Sequence, residues 1–468
     1  MTALNVAFQT SPGKYSFQGT TQLINAYAEK LGSDAKGPLA VMPSEGLVSV
    51  CENGNTPCRG MIFLEDEDKV YSVHSSSVYK LAYSNGVVTS TRIGTIPGND
   101  PVQLSRNQRT DPQVIVRSDA GVQVIESDSM SFITDEDLPD DIVTAAVAKG
   151  YAAYGEENGK FTLSGLNSAK VIDALDFATF EQVSDKLVRI FENNGELLGF
   201  KSRSLEFWRV LDNADFPFAP IGFKSRGLKA AHSVVASDGT LFFVGDDGNV
   251  YRLANYDPLV ISTHEVSRLV LGDDAPEDIE AFGWDRDGHA FVNLTGSDWS
   301  RCYDSATKVW HSRKSYGQDR WRANHSIRAW GMNLVGDRLS GKIFKLASDV
   351  FTEDSGVMEW GVVSPPMHAF PRGGIIDAIH FDLGTGYGTL SGQGSDPKIM
   401  LDVSKDGGNT FQQYRELDLA TRGNHQARVT ARRLGQFGAK GAVFRLRITD
   451  PVVRSLVNVD AEIRPLRA

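Results

Sequence analysis

The sequence predicts an all-β chain, a β-propeller of six or seven blades followed by an additional C-terminal β-sandwich domain. Three observations carry this. First, Val244-Gly245-Asp246-Asp247-Gly248-Asn249-Val250-Tyr251-Arg252-Leu253 returns as Val335-Gly336-Asp337-Arg338-Leu339-Ser340-Gly341-Lys342-Ile343-Phe344-Lys345-Leu346. Each copy reads as a strand, a tight turn in which Gly supplies positive φ and Asp or Asn tolerates it, and a second strand. In Tyr251-Arg252-Leu253 and Phe344-Lys345-Leu346 a basic residue between two apolar ones gives a buried and a wet face. Second, such hairpins recur: Tyr79, Val122, Leu163, Phe207, Tyr251, Phe291 and Phe344 mark them at intervals of 40 to 53 residues, where a four-stranded blade takes roughly 40–50. Third, 45 Gly, 24 Phe and 13 Tyr without a long helical heptad run suit many short strands joined by turns. A generic sandwich, whose hairpins also recur, is the other architecture that fits.

Taken in order, residues 1–60 stand outside the blade rhythm as an N-terminal arm and entry strand. Gln22–Glu29 reads as the entry strand, and Leu39–Leu47 as an extended arm turning at Pro43-x-x-Gly46. Residues 61–360 form the propeller. Within it, Asp173–Gln182 suits a short helix or turn, with Asp185 opening the strand Leu187–Phe191. Asp212–Pro220 breaks the rhythm with the rigid apolar loop Phe216-Pro217-Phe218-Ala219-Pro220. Ser364-Pro365-Pro366 reads as a linker, and residues 361–468 as the sandwich. That domain carries a Gly-rich loop at Gly384–Gly394, a hairpin around Asp406-Gly407-Gly408 and a late strand Val443–Ile448.

The formal net charge is −11. An acidic balance argues against a surface that grips nucleic acid, because phosphate affinity comes from Lys and Arg, and suits a surface that nucleic acid slides past. The three cysteines, Cys51, Cys58 and Cys302, are too few and odd in number for a disulfide scaffold. No basic n-region followed by an apolar h-region opens the chain, and no run approaches the ~18 apolar residues of a membrane span. The expectation is a protein made in a cytoplasm, soluble there or within a later assembly.

Chemistry-bearing motifs are few. Ser404-Lys405-Asp406-Gly407-Gly408-Asn409-Thr410-Phe411 matches the Asp box of sialidase-type propellers. It reads as a hairpin stapled by the Asp side chain; a sialidase also needs a cluster of Arg and a Tyr with an acidic partner. Gly384-Thr385-Gly386-Tyr387-Gly388 lacks phosphate-loop spacing, and Ser391 is not in a nucleophile elbow. His74, His232, His264, His289, His311, His325, His368, His380 and His425 are scattered without zinc-ligand spacing. The acidic runs Glu65–Asp68 and Glu277–Glu280 read as solvated loops. Trp299, Trp310, Trp321, Trp330 and Trp360, interleaved with Arg301, Arg313, Arg320, Arg322 and Arg328, leave two readings open: a partner interface or nucleic-acid groove, or blade packing. No catalytic, cofactor-binding or metal residue is assigned.

Several stretches, in this order, resemble the tail hub proteins of short-tailed phages (podoviruses), also called packaged-DNA stabilisation, head-closure or nozzle proteins. They are Asn25-Ala26-Tyr27-Ala28-Glu29; Ile172–Ala178 with Asp185-Lys186-Leu187-Val188; Ser204-Leu205-Glu206-Phe207-Trp208; Val250–Leu253 with Ile261-Ser262-Thr263; Trp310-His311-Ser312-Arg313; Val335–Gly341; Ser404–Phe411; and Asp450-Pro451-Val452. The resemblance spans nearly the whole chain, and its collinearity is more specific than any one motif. Asn25-Ala26-Tyr27 departs from the Asn-Cys-Tyr form expected there.

The resemblance implies a propeller with an added sandwich and a homo-hexameric ring below the portal and its adaptor (head–tail connector) ring. It implies a conduit that retains packaged DNA and opens for ejection, with tail needle or plug and tailspikes or fibres docked on it. Phage DNA passes without specific binding, and the chain inserts in no membrane. The implied location is the virion tail, assembled in the host bacterial cytoplasm. It implies no catalytic residue and no cofactor. The residues agree in that a rigid all-β body with loops at both ends suits a closed ring, and an acidic wall lets phosphate pass. A sialidase-like glycan-binding or glycan-hydrolysing propeller is the alternative, and a cytoplasmic propeller scaffold a third reading.

Overall fold

The computed structural model describes residues 2–4, 9–211, 216–368 and 370–466. Among them, seven antiparallel four-stranded units follow one another around an axis. Blade 1 is Cys58–Leu64, Lys69–His74, Ser77–Ser84 and Val87–Thr95; blade 2 is Gln103–Arg106, Val114–Ser118, Gly121–Glu126 and Ser129–Phe132. Blade 3 is Ile142–Ala148, Tyr151–Glu156, Lys160–Ser164 and Ile172–Thr179; blade 4 is Leu187–Asn193, Glu196–Lys201, Leu205–Val210 and Phe218–Lys224. Blade 5 is Val235–Ser237, Thr240–Val244, Val250–Ala254 and Asp257–Val260; blade 6 is Glu280–Arg286, His289–Thr295, Ser300–Asp304 and Val309–Ser312. Blade 7 takes Ala323–Ala329, Met332–Asp337 and Lys342–Ala347 from one end of the propeller segment and its outer strand, Gly46–Glu52, from the other. First strands touch from blade to blade around the axis; between blades 4 and 5, Arg189 Nη1 donates to Ala231 O at 2.5 Å.

The predicted period is the third-strand period. Tyr79, Val122, Leu163, Phe207, Tyr251 and Phe344 all lie on third strands, and the two echoing segments are the second–third hairpins of blades 5 and 7. Phe291 is the exception, on the second strand of blade 6, where Tyr303 holds the third-strand place. The stretch before blade 6 carries the helix His264–Leu271, capped by Thr263 Oγ1 accepting from Val266 N, which lengthens that interval. The glycines of the echo also differ from expectation. Only Gly248 has positive φ (+81°); a Cβ on Gly245 would lie 2.5 Å from the Tyr251 ring, and one on Gly336 2.5 Å from Cys58 Cβ. Close packing fixes those two.

The sandwich packs one sheet of Ala26–Lys30, Leu39–Pro43, Leu456–Pro465, Gly374–Leu383 and Val429–Phe437 against a second of Trp360–Val363, Val443–Ile448, Lys398–Ser404 and Gln412–Asp418. Leu23, Val41, Trp360, Ile379, Leu401, Phe444 and Val459 are buried between them. The second sheet does not end at the domain. Gln22–Ile24 pairs antiparallel with Trp360–Val363 and, at Ile24, parallel with Ser312 of blade 6, so blade 6 and half of the sandwich are one nine-stranded sheet. Residues 22–52 therefore supply a bridging strand, two sandwich strands and the outer strand of blade 7.

Asn25 ties this knot. Fully buried and left-handed (φ 47°), it donates through Nδ2 to Lys314 O and Glu359 O, both at 2.8 Å, and accepts from Lys314 N at 3.1 Å. Blade 6, the exit from blade 7 and the N-terminal segment meet on one amide. Arg454, 1% exposed, makes a second pin by donating to Met358 O (2.8 Å) and Phe351 O (3.2 Å).

Other expectations are corrected. Asp173–Gln182 is largely the outer strand of blade 3, with Asp185 before the next blade; an edge strand wet on both faces shows no two-residue alternation. The proline loop gives way to strand at Phe218, because an outer strand has a free edge where Pro220 sacrifices no ladder bond. Residues 212–215 of that loop, and 1, 5–8, 369, 467 and 468, lie outside the described residues. Glu280 belongs to the first strand of blade 6 and is mostly buried, while Glu277 and Asp278 lie in the 3-10 turn before it. Cys51, Cys58 and Cys302 are all free.

Asn25→Gly keeps the left-handed backbone and removes the three side-chain hydrogen bonds. At about 1 kcal/mol each, chemical denaturation of the variant is expected to show a loss of about 2–4 kcal/mol; a loss below about 1 kcal/mol would show that the seam does not rest on Asn25.

Candidate interaction surface

The segments that carried the family resemblance are structural fasteners. Lys201 is 1% exposed, with Nζ 3.1 Å from Asp185 and 3.3 Å from Glu206, and it donates to Phe180 O at 2.8 Å and to Val183 O. Asp185 also accepts from Arg203 N (2.7 Å) and Ser204 Oγ (3.0 Å), and Glu206 from Gln182 N (3.0 Å). Two carboxylates and one ammonium thus pin the blade 3–4 crossover onto blade 4, an arrangement that survives burial because every charge has a partner. Asp450 accepts from Lys398 N at 3.0 Å and its carbonyl from Arg454 at 2.6 Å.

The tryptophan–arginine block is packing. Trp310, Trp321 and Trp360 are fully buried and Trp299 nearly so. Arg313 lies 3.8 Å over the Trp321 ring and donates to Glu45 O at 3.2 Å. Trp284 Nε1 donates to Glu45 Oε1 (3.1 Å) and Trp321 Nε1 to Glu353 Oε1 (2.9 Å); burial pushes the Glu353 carboxyl up. Trp330, stacked on Tyr83 with ring centroids 5.5 Å apart, lies nearer the surface.

In the Asp box, Asp406 accepts from Ser404 Oγ, Asn409 N, Thr410 N and Thr410 Oγ1 at 2.7–3.0 Å. These bonds, Ser404's first, hold its carboxyl well below the usual range and leave it engaged in its own hairpin. Tyrosines with acidic partners exist at Tyr71–Asp128 and Tyr251–Asp247, both 2.7 Å. Burial and those carboxylates push both phenols up to about 12, so they stay neutral at pH 7. Arg226 stands beside Asp247 at 3.2 Å. Among the described residues no group of three or more His, Cys, Asp or Glu is placed to hold a metal, and no helix is long and apolar enough to cross a membrane.

The propeller perimeter offers one surface for interaction. The outer edges of blades 6 and 7 are covered by Gln22–Ile24 and by Glu353 against Leu47. The outer strands of blades 1–5 are terminal in their sheets. On them stand exposed apolar side chains: Val87 on blade 1, Phe132 on blade 2, Leu175 and Phe177 on blade 3, Ile221 and Phe223 on blade 4, and Leu259 and Val260 on blade 5. Leu175 is the most exposed of them at 83%. Open edges with apolar side chains are surfaces that native proteins cover or charge unless a partner uses them. Sequence pattern did not single these residues out, because a lone apolar residue on a wet strand resembles a core position until pairing is known.

Two family models match the chain: "Bacteriophage P22 Gp10, beta-propeller" over residues 24–351 and "Bacteriophage P22 Gp10, beta-sandwich" over residues 359–464. No curated protein sequence matches it. Similar solved structures include the WD40 beta propeller domain of Doa1, 12% identical over 64% of this chain and 97% of that one, TM-score 0.41. YCF48 bound to D1 peptide is 10% identical over 65% and 97%, TM-score 0.41. The extracellular domain of the putative one-component system BT4673 of B. thetaiotaomicron is 9% identical over 90% and 60%, TM-score 0.45.

Burial of histidines sets an acid limit. Desolvation lowers His74 to about 4 and His311 to about 3, below the ~6.5 of an unfolded chain. The unfolded chain then binds protons as pH falls through 6.5 while the folded chain does not. Stability is expected to fall from pH 6.5 down to about 4, by up to ~1.4 kcal/mol per pH unit for each group. His289, raised by its hydrogen bond to Asp304, acts oppositely, since its contribution is full below 6.5 and is lost as pH rises through its folded value. Denaturant titrations across pH 4–7 should show a shallower slope for His311→Leu; an unchanged slope would remove His311 from this account.

Proposed function

The chain belongs to the bacteriophage P22 Gp10 family, structural proteins of the phage tail, and on that premise we propose that six copies form the tail hub that closes the portal-adaptor channel. The ring retains packaged DNA and becomes the conduit for its ejection, with tail needle and tailspikes or fibres docked on it. Assembly takes place in the host cytoplasm and the finished ring resides in the virion.

The observation that carries this reading is the match of both family models, propeller and sandwich, along one chain whose two parts share a sheet. A hub must transmit force between head and tail without folding at a hinge, and a continuous hydrogen-bonded sheet through blade 6 resists that bend. The net charge of −11 favours passage of DNA over retention by binding. The mechanism is mechanical: closure depends on partners docked at the ring, and ejection on their release. The Asp box supports no glycan chemistry in this reading, because its carboxylate is spent on its own turn.

Neighbouring copies are assigned to the free perimeter of blades 1–5. A heterologous interface that closes on itself suits a ring, and the exposed apolar row on these strands supplies the surface. Multi-angle light scattering of the purified chain, alone and with the phage adaptor ring, is expected to show a six-copy species at least in the mixture. Leu175→Lys with Phe223→Lys is expected to reduce that species at least about tenfold with little change in melting temperature. A strict monomer indifferent to the adaptor contradicts the hub, while a six-copy ring untouched by the double variant contradicts only the assigned surface.

A further inference from the structure

The charge of this chain is divided between its two ends. Residues 361–468 hold 14 Lys and Arg against 10 Asp and Glu, whereas residues 1–360 hold 34 against 49. The basic surplus gathers where the sheets end. The nine-stranded sheet starts at the first strand of blade 6 and ends at the sandwich strand Gln412–Asp418. Val429–Phe437 ends the other sandwich sheet beside it, with Tyr414 Oη donating to Arg432 O at 3.0 Å and to Arg433 O at 2.7 Å. On this open side Arg415, Arg428, Arg432 and Arg433 are exposed and form no ion pair among the described residues. Arg433 is left-handed (φ 63°) where the pairing of Val429–Phe437 with Gly374–Leu383 shifts register, and a bulge of this kind re-aims a side chain. The acids on the two strands are Glu416 and Asp418, and Lys398 holds the second.

Blade 3 is the complement. In a ring of seven blades it lies across the axis from the junction of blades 6 and 7, where the sandwich is attached. Its outer strand carries Asp173 and Asp176, with Glu181 just beyond. The connection from blade 2, residues 133–141, passes from this outer strand to the first. Asp135 accepts from Ile172 N at 3.0 Å, and Asp140 and Asp141 line a cleft of about 780 Å³ with Asp119, Glu156 and Glu157. The bases nearby are engaged, Lys170 with Glu126 at 2.7 Å and Lys160 over the Phe177 ring at 4.6 Å. Leu175 and Phe177 stand exposed among the acids.

We propose that the open edge of the sandwich, through Arg415, Arg428, Arg432 and Arg433, docks on the acidic outer side of blade 3 of a second copy of this chain. This contact rests on the six-copy ring proposed above and supplies the surface that meets blade 3. A head-to-tail ring needs two different patches facing opposite ways on each copy, and the basic and acidic ends of this body answer that need. Guanidinium forks suit carboxylates set along a strand and around a cleft. A terminal strand with charge of one sign repels its own kind and selects the opposite sign, so copies join edge to blade and not edge to edge. Duplex DNA would answer the arginines and leave the acids and apolar side chains of blade 3 uncovered.

Two charge-reversed chains test it: Arg415→Glu with Arg432→Glu and Arg433→Glu, and Asp173→Lys with Asp176→Lys and Glu181→Lys. Each of them, mixed with the phage adaptor ring, is expected to show at least about tenfold less of the six-copy species in light scattering, since like charges then face each other. An equimolar mixture of the two is expected to restore it, because six is even and the two kinds of copy alternate around the ring. One chain carrying both sets of substitutions is expected to form the ring by itself, which guards against loss through misfolding. A six-copy ring that both variants still form overturns this contact and leaves the hub standing, as does a loss that neither the mixture nor the combined variant repairs. A wild-type chain that stays monomeric with the adaptor overturns both. Retention of a short duplex DNA by the wild type, lost in the arginine variant while its ring stays intact, assigns the edge to nucleic acid and overturns the contact.

Discussion

Everything in this molecule hangs on a circle closed without a covalent bond. A propeller must join its first and last blades, and here the join is the strand Gly46–Glu52 laid along Lys342–Ala347 as the fourth strand of blade 7. The chain reaches that strand only after bridging blade 6 to the sandwich and adding a hairpin to the sandwich sheet. One stretch of about thirty residues therefore closes the ring and welds the second domain to it. Asn25 stands where the N-terminal segment, the exit from blade 6 and the exit from blade 7 meet, and its left-handed backbone with three buried hydrogen bonds explains why an Asn is used.

The same economy runs through the motifs that first suggested the family. Asp185 and Glu206 are fasteners around Lys201, Arg313 is a lid on Trp321, and Asp450 and Arg454 anchor the exit from the propeller. In a structural protein of the phage tail, residues that look chemical serve to fasten the fold. Among the described residues, two blade edges are covered from within and five outer strands are terminal in their sheets.

Much of this was legible in the sequence, and the failures have local causes. The third strands of blades 5 and 7 set a partly exposed basic residue between buried apolar ones, so Tyr251-Arg252-Leu253 and Phe344-Lys345-Leu346 announce themselves. Phe291 mis-set the marker of blade 6 because the helix His264–Leu271 delays the blade, and a second strand as apolar as Ala290–Leu294 imitates a third. Outer strands such as Ile172–Thr179 carry no alternation, since most of their residues meet water. The closure by Gly46–Glu52 was not legible, because a pairing across about three hundred residues leaves no trace in local pattern. Glu280, taken for part of a solvated run, was misread for the same reason: its burial is set by blade 7.

The central claim is that propeller and sandwich are one cooperative body held by residues 22–52. Differential scanning calorimetry of the intact chain tests it most directly. The account predicts a single transition whose calorimetric and van't Hoff enthalpies agree, as a two-state unit requires. Two resolved transitions, with the sandwich and the propeller melting separately, would contradict it.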